Sequence, residues 1–122
     1  MRKQDAAIAR EAASARARAA ADLDLQPLLA HVSHGRGAEK VLVLHDWMGD
    51  SANYDAMLPY LDPDFATYVF ADLRGYGGSR HLSGDYTVEE VAGDALRLAE
   101  RLGWARFHVV GHSMTGMVVQ RM

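Results

Sequence analysis

Apolar residues recur along this chain in two rhythms. Val41-Leu42-Val43-Leu44 is a continuous apolar run bounded by turn residues, the pattern of a strand buried on both faces. Residues 65–70 and 107–110 are predicted as two more strands, and His31-Val32-Ser33 as a short one ending at the turn Gly35-Arg36-Gly37. Between these runs the spacing changes. Val88, Val91, Ala92, Ala95, Leu96, Ala99 and Leu102 recur at i, i+3, i+4 and i+7, which predicts a helix. Thr87-Val88-Glu89-Glu90 reads as its capping box and Gly103 as its terminator. A shorter helix is predicted from a cap at Asp50 or Ser51 to Leu58, limited by Pro59. Gly111 to Gly116 is expected to turn, with a last helix from Met117 onward. Strands alternating with helices of this length imply right-handed crossovers and a mainly parallel sheet with flanking helices, so the fold class is α/β.

Residues 1–25 break the pattern. Ala and Arg dominate residues 8–21, so the stretch is predicted helical, yet Ile8, Leu23 and Leu25 are its only large apolar side chains. A surface helix fits it better than a targeting presequence, because Asp5, Glu11, Asp22 and Asp24 interrupt the positive charge. The globular fold is expected over residues 26–122.

Composition narrows the function classes. A chain of 122 residues, 49% hydrophobic and 24% charged, has room for one globular domain. Its net charge of -3 gives no reason to expect nucleic acid or an anionic membrane as partner. The absence of cysteine excludes disulfides, thiolate zinc sites and a cysteine nucleophile, and fits a cytoplasmic protein. No apolar run approaches the roughly 20 residues that span a bilayer. No cofactor or metal is implied. His31 and His34 resemble an H-x-x-H pair without a carboxylate partner, and His81 and His108 are isolated.

Three segments carry chemistry. Gly111-His112-Ser113-Met114-Thr115-Gly116 follows an apolar strand directly. A strand that turns at once into a helix forces its turning residue into a strained, positive-φ backbone and requires small residues two before and two after. The Ser113 hydroxyl is thereby lifted clear of the sheet, where the helix N-terminus favours the negative charge of an attacked carbonyl. Ser113 is accordingly the candidate nucleophile of a G-x-S-x-G elbow. Thr115 occupies its last small position, and Gly116 follows. His112 should point its side chain away from the hydroxyl. The second segment, His45-Asp46-Trp47, ends the 41–44 strand and opens onto the same crevice, because ligands in such sheets sit beyond the carboxyl ends of the strands. The N–H groups of Trp47, or less favourably Asp46, and of Met114 can form an oxyanion hole. The third, Asp72-Leu73-Arg74-Gly75-Tyr76-Gly77-Gly78-Ser79, lacks nucleotide-loop spacing and reads as a brace for the crevice, with Asp72 and Arg74 as a candidate pair.

HDWMGDSANY, FADLRGYGGS and TVEEVAGDALRLAERLGWARFHVVGHSMTG, in that order and spacing, resemble the N-terminal half of an α/β-hydrolase. The likeness is nearest to the soluble branch of esterases, lactonases, cofactor-free haloperoxidases and C–C bond hydrolases, and runs from about Val41 to Met122. It implies a partial α/β-hydrolase fold truncated after the nucleophile elbow. It also implies Ser113 as nucleophile, the Trp47 and Met114 N–H groups as oxyanion hole, and His45 as the brace of the oxyanion loop. Asp46 and Thr115 stand where the family usually has glycine.

A serine nucleophile needs a histidine base and an orienting acid, which in this fold follow the serine in the chain. Residues 114–122 contain neither. The expectation is therefore a fragment, inactive and poorly stable alone, with the 107–110 strand edge open to a missing C-terminal segment or another chain. The intact protein is read as a serine hydrolase that opens a small ester, lactone or related carbonyl substrate through an acyl-enzyme at Ser113. The alternative is a non-catalytic or decayed relative that serves as an interaction module.

Overall fold

The computed structural model describes residues 3–11 and 27–122. Residues 3–11 are helical (α1), and the remainder of the expected N-terminal helix lies outside the described residues. Four strands follow: β1, His31–Gly35; β2, Glu39–Leu44; β3, Ala66–Ala71; and β4, His108–Val110. They form one sheet in the order β1-β3-β2-β4, with β1 antiparallel to β3 and β2 parallel to both of its neighbours. The chain leaves β2 for β3 on one side and later crosses to β4 on the other. That reversal opens a crevice at the carboxyl end of β2, where the loops after β2 and β4 diverge. The register Val43↔Val110 brings both loops to the same end of the sheet.

Strand β2 is a continuous apolar run because both of its faces are covered. Leu42 and Leu44 join Val69 and Ala71 in a core closed by α2, Val88–Arg101, and α3, Met114–Arg121. On the opposite face Val43 and Phe70 are buried, and the Tyr54 ring packs 5.5 Å from that of Phe70. Each fully buried leucine contributes roughly 2–3 kcal/mol.

Helix α2 begins and ends as its sequence predicts. Thr87 accepts the Glu90 N–H at 3.1 Å. Gly103, at φ 76°, donates to Glu100 O, and Trp104 N–H donates to Ala99 O, satisfying the last carbonyls. Only half of the capping box closes, because the Glu90 carboxylate turns to the N–H groups of Tyr86 and Asp85 instead. Leu96, assigned to the apolar stripe, is 43% exposed. It lies one residue past Ala95, a rotation of about 100° away from the core, while Asp94 is buried there.

Several boundaries differ from the sequence reading: β1 runs on to Gly35, β2 begins at Glu39 and β4 at His108, and three further shifts have a clear physical reason. Residues Ser51–Tyr60 form a 3₁₀ helix that runs through Pro59, and the segment buries no residue that would hold it as an α-helix. Strand β3 is shifted by one residue and leaves Phe65 exposed. Helix α3 starts at Met114, not Met117, because the positive φ of Ser113 completes the change of direction in one residue.

Candidate active site

Ser113 has φ 54° and ψ −115°, a backbone conformation that L-residues rarely adopt. It stands exposed between the end of β4 and the first turn of α3, and its hydroxyl bonds to no described residue. The turn is tight for a steric reason. A Cβ added to Gly111 would lie 2.4 Å from the Thr115 carbonyl oxygen, so any side chain there would push helix and strand apart. A Cβ at Gly116 meets nothing within 4 Å, so the close approach depends on Gly111 alone of the two.

Thr115 is fully buried and acts as a staple. Its hydroxyl oxygen accepts the His112 N–H at 2.7 Å, and its single proton faces His112 O at 3.0 Å and Leu44 O at 3.3 Å. The Leu44 carbonyl also accepts the Tyr54 hydroxyl at 2.8 Å. Burial, then the neighbouring Asp46 carboxylate, raises the Tyr54 phenol above its usual range.

The loop after β2 forms the other bank of the crevice. His45 is fully buried, and its tautomer follows from its partners. The Leu73 N–H can only donate, so Nε2 accepts it at 3.0 Å, and Nδ1–H therefore donates to Asp46 O at 2.8 Å. The Tyr76 ring meets the imidazole edge-on at 5.3 Å. His45 thus ties the Asp46–Trp47 backbone to the loop after β3. The Asp46 carboxylate, in the position of the usual glycine, accepts from Asn53 at 2.9 Å and reaches His112 Nδ1 at 3.6 Å. The His112 ring is therefore turned toward the His45–Trp47 loop. Among the described residues, neither the Trp47 N–H nor the Met114 N–H has a hydrogen-bond partner.

Asp72 and Arg74 do not pair. Asp72 accepts the N–H groups of Ser51 at 2.7 Å and Gly78 at 2.9 Å, knitting the loops after β2 and β3 together. Burial pushes its carboxyl up, but those two N–H bonds, aided by the Ser51 hydroxyl, outweigh it and hold the group below its ordinary value. Arg74 instead makes a two-pronged contact with Asp94, Nε and Nη2 donating at 2.8 and 2.7 Å, with Glu90 3.4 Å away. Asp94 also accepts from Arg97. These contacts, the Asp94 hydrogen bonds first, raise the Arg74 guanidinium above its usual value against the effect of burial. The sequence reading missed Asp94, although a carboxylate in register with Val91, Ala95 and Leu98 signals a buried partner.

Trp47, Leu73, Tyr76, Tyr86, Val91 and Met114 line a cavity of about 500 Å³ beside the elbow. His31 and His34 are not brought together as ligands. His31 Nδ1 lies 3.0 Å from Leu29 O, and the His34 ring lies 6.4 Å from that of Tyr68. Among the described residues no group of three His, Cys, Asp or Glu could hold a metal ion, and no helix is long and apolar enough to cross a membrane.

A mainly parallel sheet with a switch-point crevice and a strand–Ser–helix turn on its rim defines an α/β protein of the α/β-hydrolase architecture. Residues 39–122 match the alpha/beta hydrolase fold family. The chain belongs to that family. It is 36% identical over 80 residues to a human serine hydrolase-like protein, covering 64% of this chain and 39% of that relative. It is 36% identical over 93 residues to a fluoroacetate dehalogenase of Burkholderia sp, covering 72% and 30%. The solved structure of a thermophilic esterase from Thermogutta terrifontis superposes with a TM-score of 0.67 at 32% identity, covering 75% of this chain and 33% of that one. The chain therefore spans well under half the length of the relatives it matches.

Proposed function

We propose that Ser113 is the nucleophile of a serine hydrolase acting on an ester, lactone or related carbonyl. The observation that carries the reading is the strained, exposed Ser113 at the N-terminus of α3, across the crevice from a loop whose Trp47 N–H has no partner among the described residues. In the proposed reaction the Ser113 oxygen attacks the carbonyl carbon while the Trp47 and Met114 N–H groups stabilise the resulting oxyanion. Each such donor contributes roughly 3 kcal/mol to the transition state. Loss of the alcohol leaves an acyl-Ser113 that water then cleaves. His45 and Asp72 hold the two loops that shape this hole. The general base and its orienting acid are left unassigned, since among the described residues no histidine is bonded to the Ser113 hydroxyl. His112 is occupied with Asp46. Without them the chain is expected to be inactive.

A fluorophosphonate probe applied to the intact protein tests this. Covalent labelling that Ser113→Ala abolishes is the expected result. An unlabelled, folded intact protein would instead support an interaction module built on the same fold.

A further inference from the structure

We propose that the cavity beside the elbow is a recognition site for an anionic group, so that the substrate is a carbonyl compound with an apolar or aromatic body and a carboxylate. This deepens the hydrolase reading and rests on it. The cavity, about 500 Å³, falls within the range of small-molecule sites and is lined by twelve residues, none of them Asp or Glu. Its apolar side is supplied by Trp47, Leu73, Tyr76, Tyr86, Val91 and Val118.

Two guanidinium groups reach it, and their circumstances differ. Arg74 is neutralised by Asp94 at 2.7 Å and Glu90 at 3.4 Å, and its Nη1 is taken by Ser83 O. Arg80 has no ion pair or side-chain hydrogen bond to any described residue, which leaves the lining with an uncompensated positive charge. The position of Arg80 is not arbitrary. It closes the short 3₁₀ turn Gly77–Ser79, its N–H bonding to Gly77 O, and it lies between buried Ser79 and buried Leu82. The Ser79 hydroxyl oxygen accepts the Ala30 N–H at 2.9 Å, and Leu82 N–H bonds back to Ser79 O. The Arg80 backbone is thereby pinned on both sides at the cavity rim. Arg80 itself is exposed, and a planar guanidinium with free donors beside an apolar cavity binds a carboxylate with charge-assisted hydrogen bonds.

Calorimetric titration of the full chain with 2-naphthoate and with neutral 2-naphthamide tests the assignment. The wild type should bind the anion about tenfold more tightly, the size of one modest charge-assisted hydrogen bond. Arg80→Gln should abolish that preference while leaving naphthamide binding unchanged, which also shows that the variant is folded. Arg80→Lys should keep part of it. Equal binding of the two probes by the wild type, failure of both to bind, or a preference surviving in Arg80→Gln overturns the proposal. Fluorophosphonate labelling of Ser113 reads the nucleophile separately, so either assignment can fail without the other.

Discussion

The Thr115 hydroxyl lies 3.3 Å from the Leu44 carbonyl oxygen, joining the first turn of α3 to the last residue of β2 across 71 positions of sequence. One side chain thereby ties the Ser113 turn to the strand that launches the His45–Trp47 loop. Thr115→Val keeps the shape and removes the hydroxyl, stranding the His112 N–H and weakening the hold on Leu44 O. A loss of about 2 kcal/mol is expected, as for a buried polar group left unsatisfied. Thr115→Ser should retain most of the stability. Urea midpoints of the two variants check this.

The strain at Ser113 should be measurable. At φ 54° and ψ −115°, glycine is the only residue without a steric penalty. Ser113→Gly should therefore be more stable than Ser113→Ala by about 1 kcal/mol, although both lose the hydroxyl. Equilibrium denaturation of the pair decides it, and equal stabilities would remove the strain argument.

Asp72 gives the fold an acid limit. Its carboxyl is held below its usual value in the folded state, so the unfolded chain takes up the proton more readily. The stability it contributes is complete above about pH 4 and is lost as pH falls through the folded value. Asp72→Asn can accept only one of the Ser51 and Gly78 N–H groups and turns its amide toward the other. It should lower stability at neutral pH by about 2 kcal/mol and flatten the fall below pH 4. Thermal unfolding followed by circular dichroism between pH 3 and 7 is the measurement.

The Arg74–Asp94 contact should not tolerate a change of cation. Asp94 has only 2% of its side chain exposed and Arg74 only 13%, so solvent does little to replace a lost partner. Asp94→Ala is expected to cost on the order of 3 kcal/mol. Arg74→Lys, which keeps the charge but not the two-pronged geometry, should lose about 1 kcal/mol. A double-mutant cycle of Arg74→Lys with Asp94→Ala would show whether the two losses share one interaction.

Much of the architecture was legible from local pattern. The apolar run of β2 and the α2 stripe bounded by Thr87 and Gly103 were read in place, because caps, periodicity and turn residues act within a few positions. The boundaries that moved did so where burial was weak, as in the Ser51–Tyr60 segment, or where one strained residue did the work of a longer turn, as at Ser113. The Asp72–Arg74 pairing failed for another reason. Adjacent positions in a loop offered a partner by proximity, while the fold offered Asp72 two better donors and gave Arg74 a buried carboxylate from α2.

By itself the sequence determined the α/β class, the order of the elements and the place of Ser113 between a strand and a helix. These follow from side-chain periodicity and from the steric demands of a single turn. Only the tertiary structure decided which groups meet: Thr115 with Leu44, His45 with Leu73, Asp46 with His112, and Arg80 beside an apolar cavity with no carboxylate partner among the described residues. Those pairings depend on the β1-β3-β2-β4 order, which brings together residues tens of positions apart. No local pattern records which buried donor will reach which acceptor once the sheet has closed.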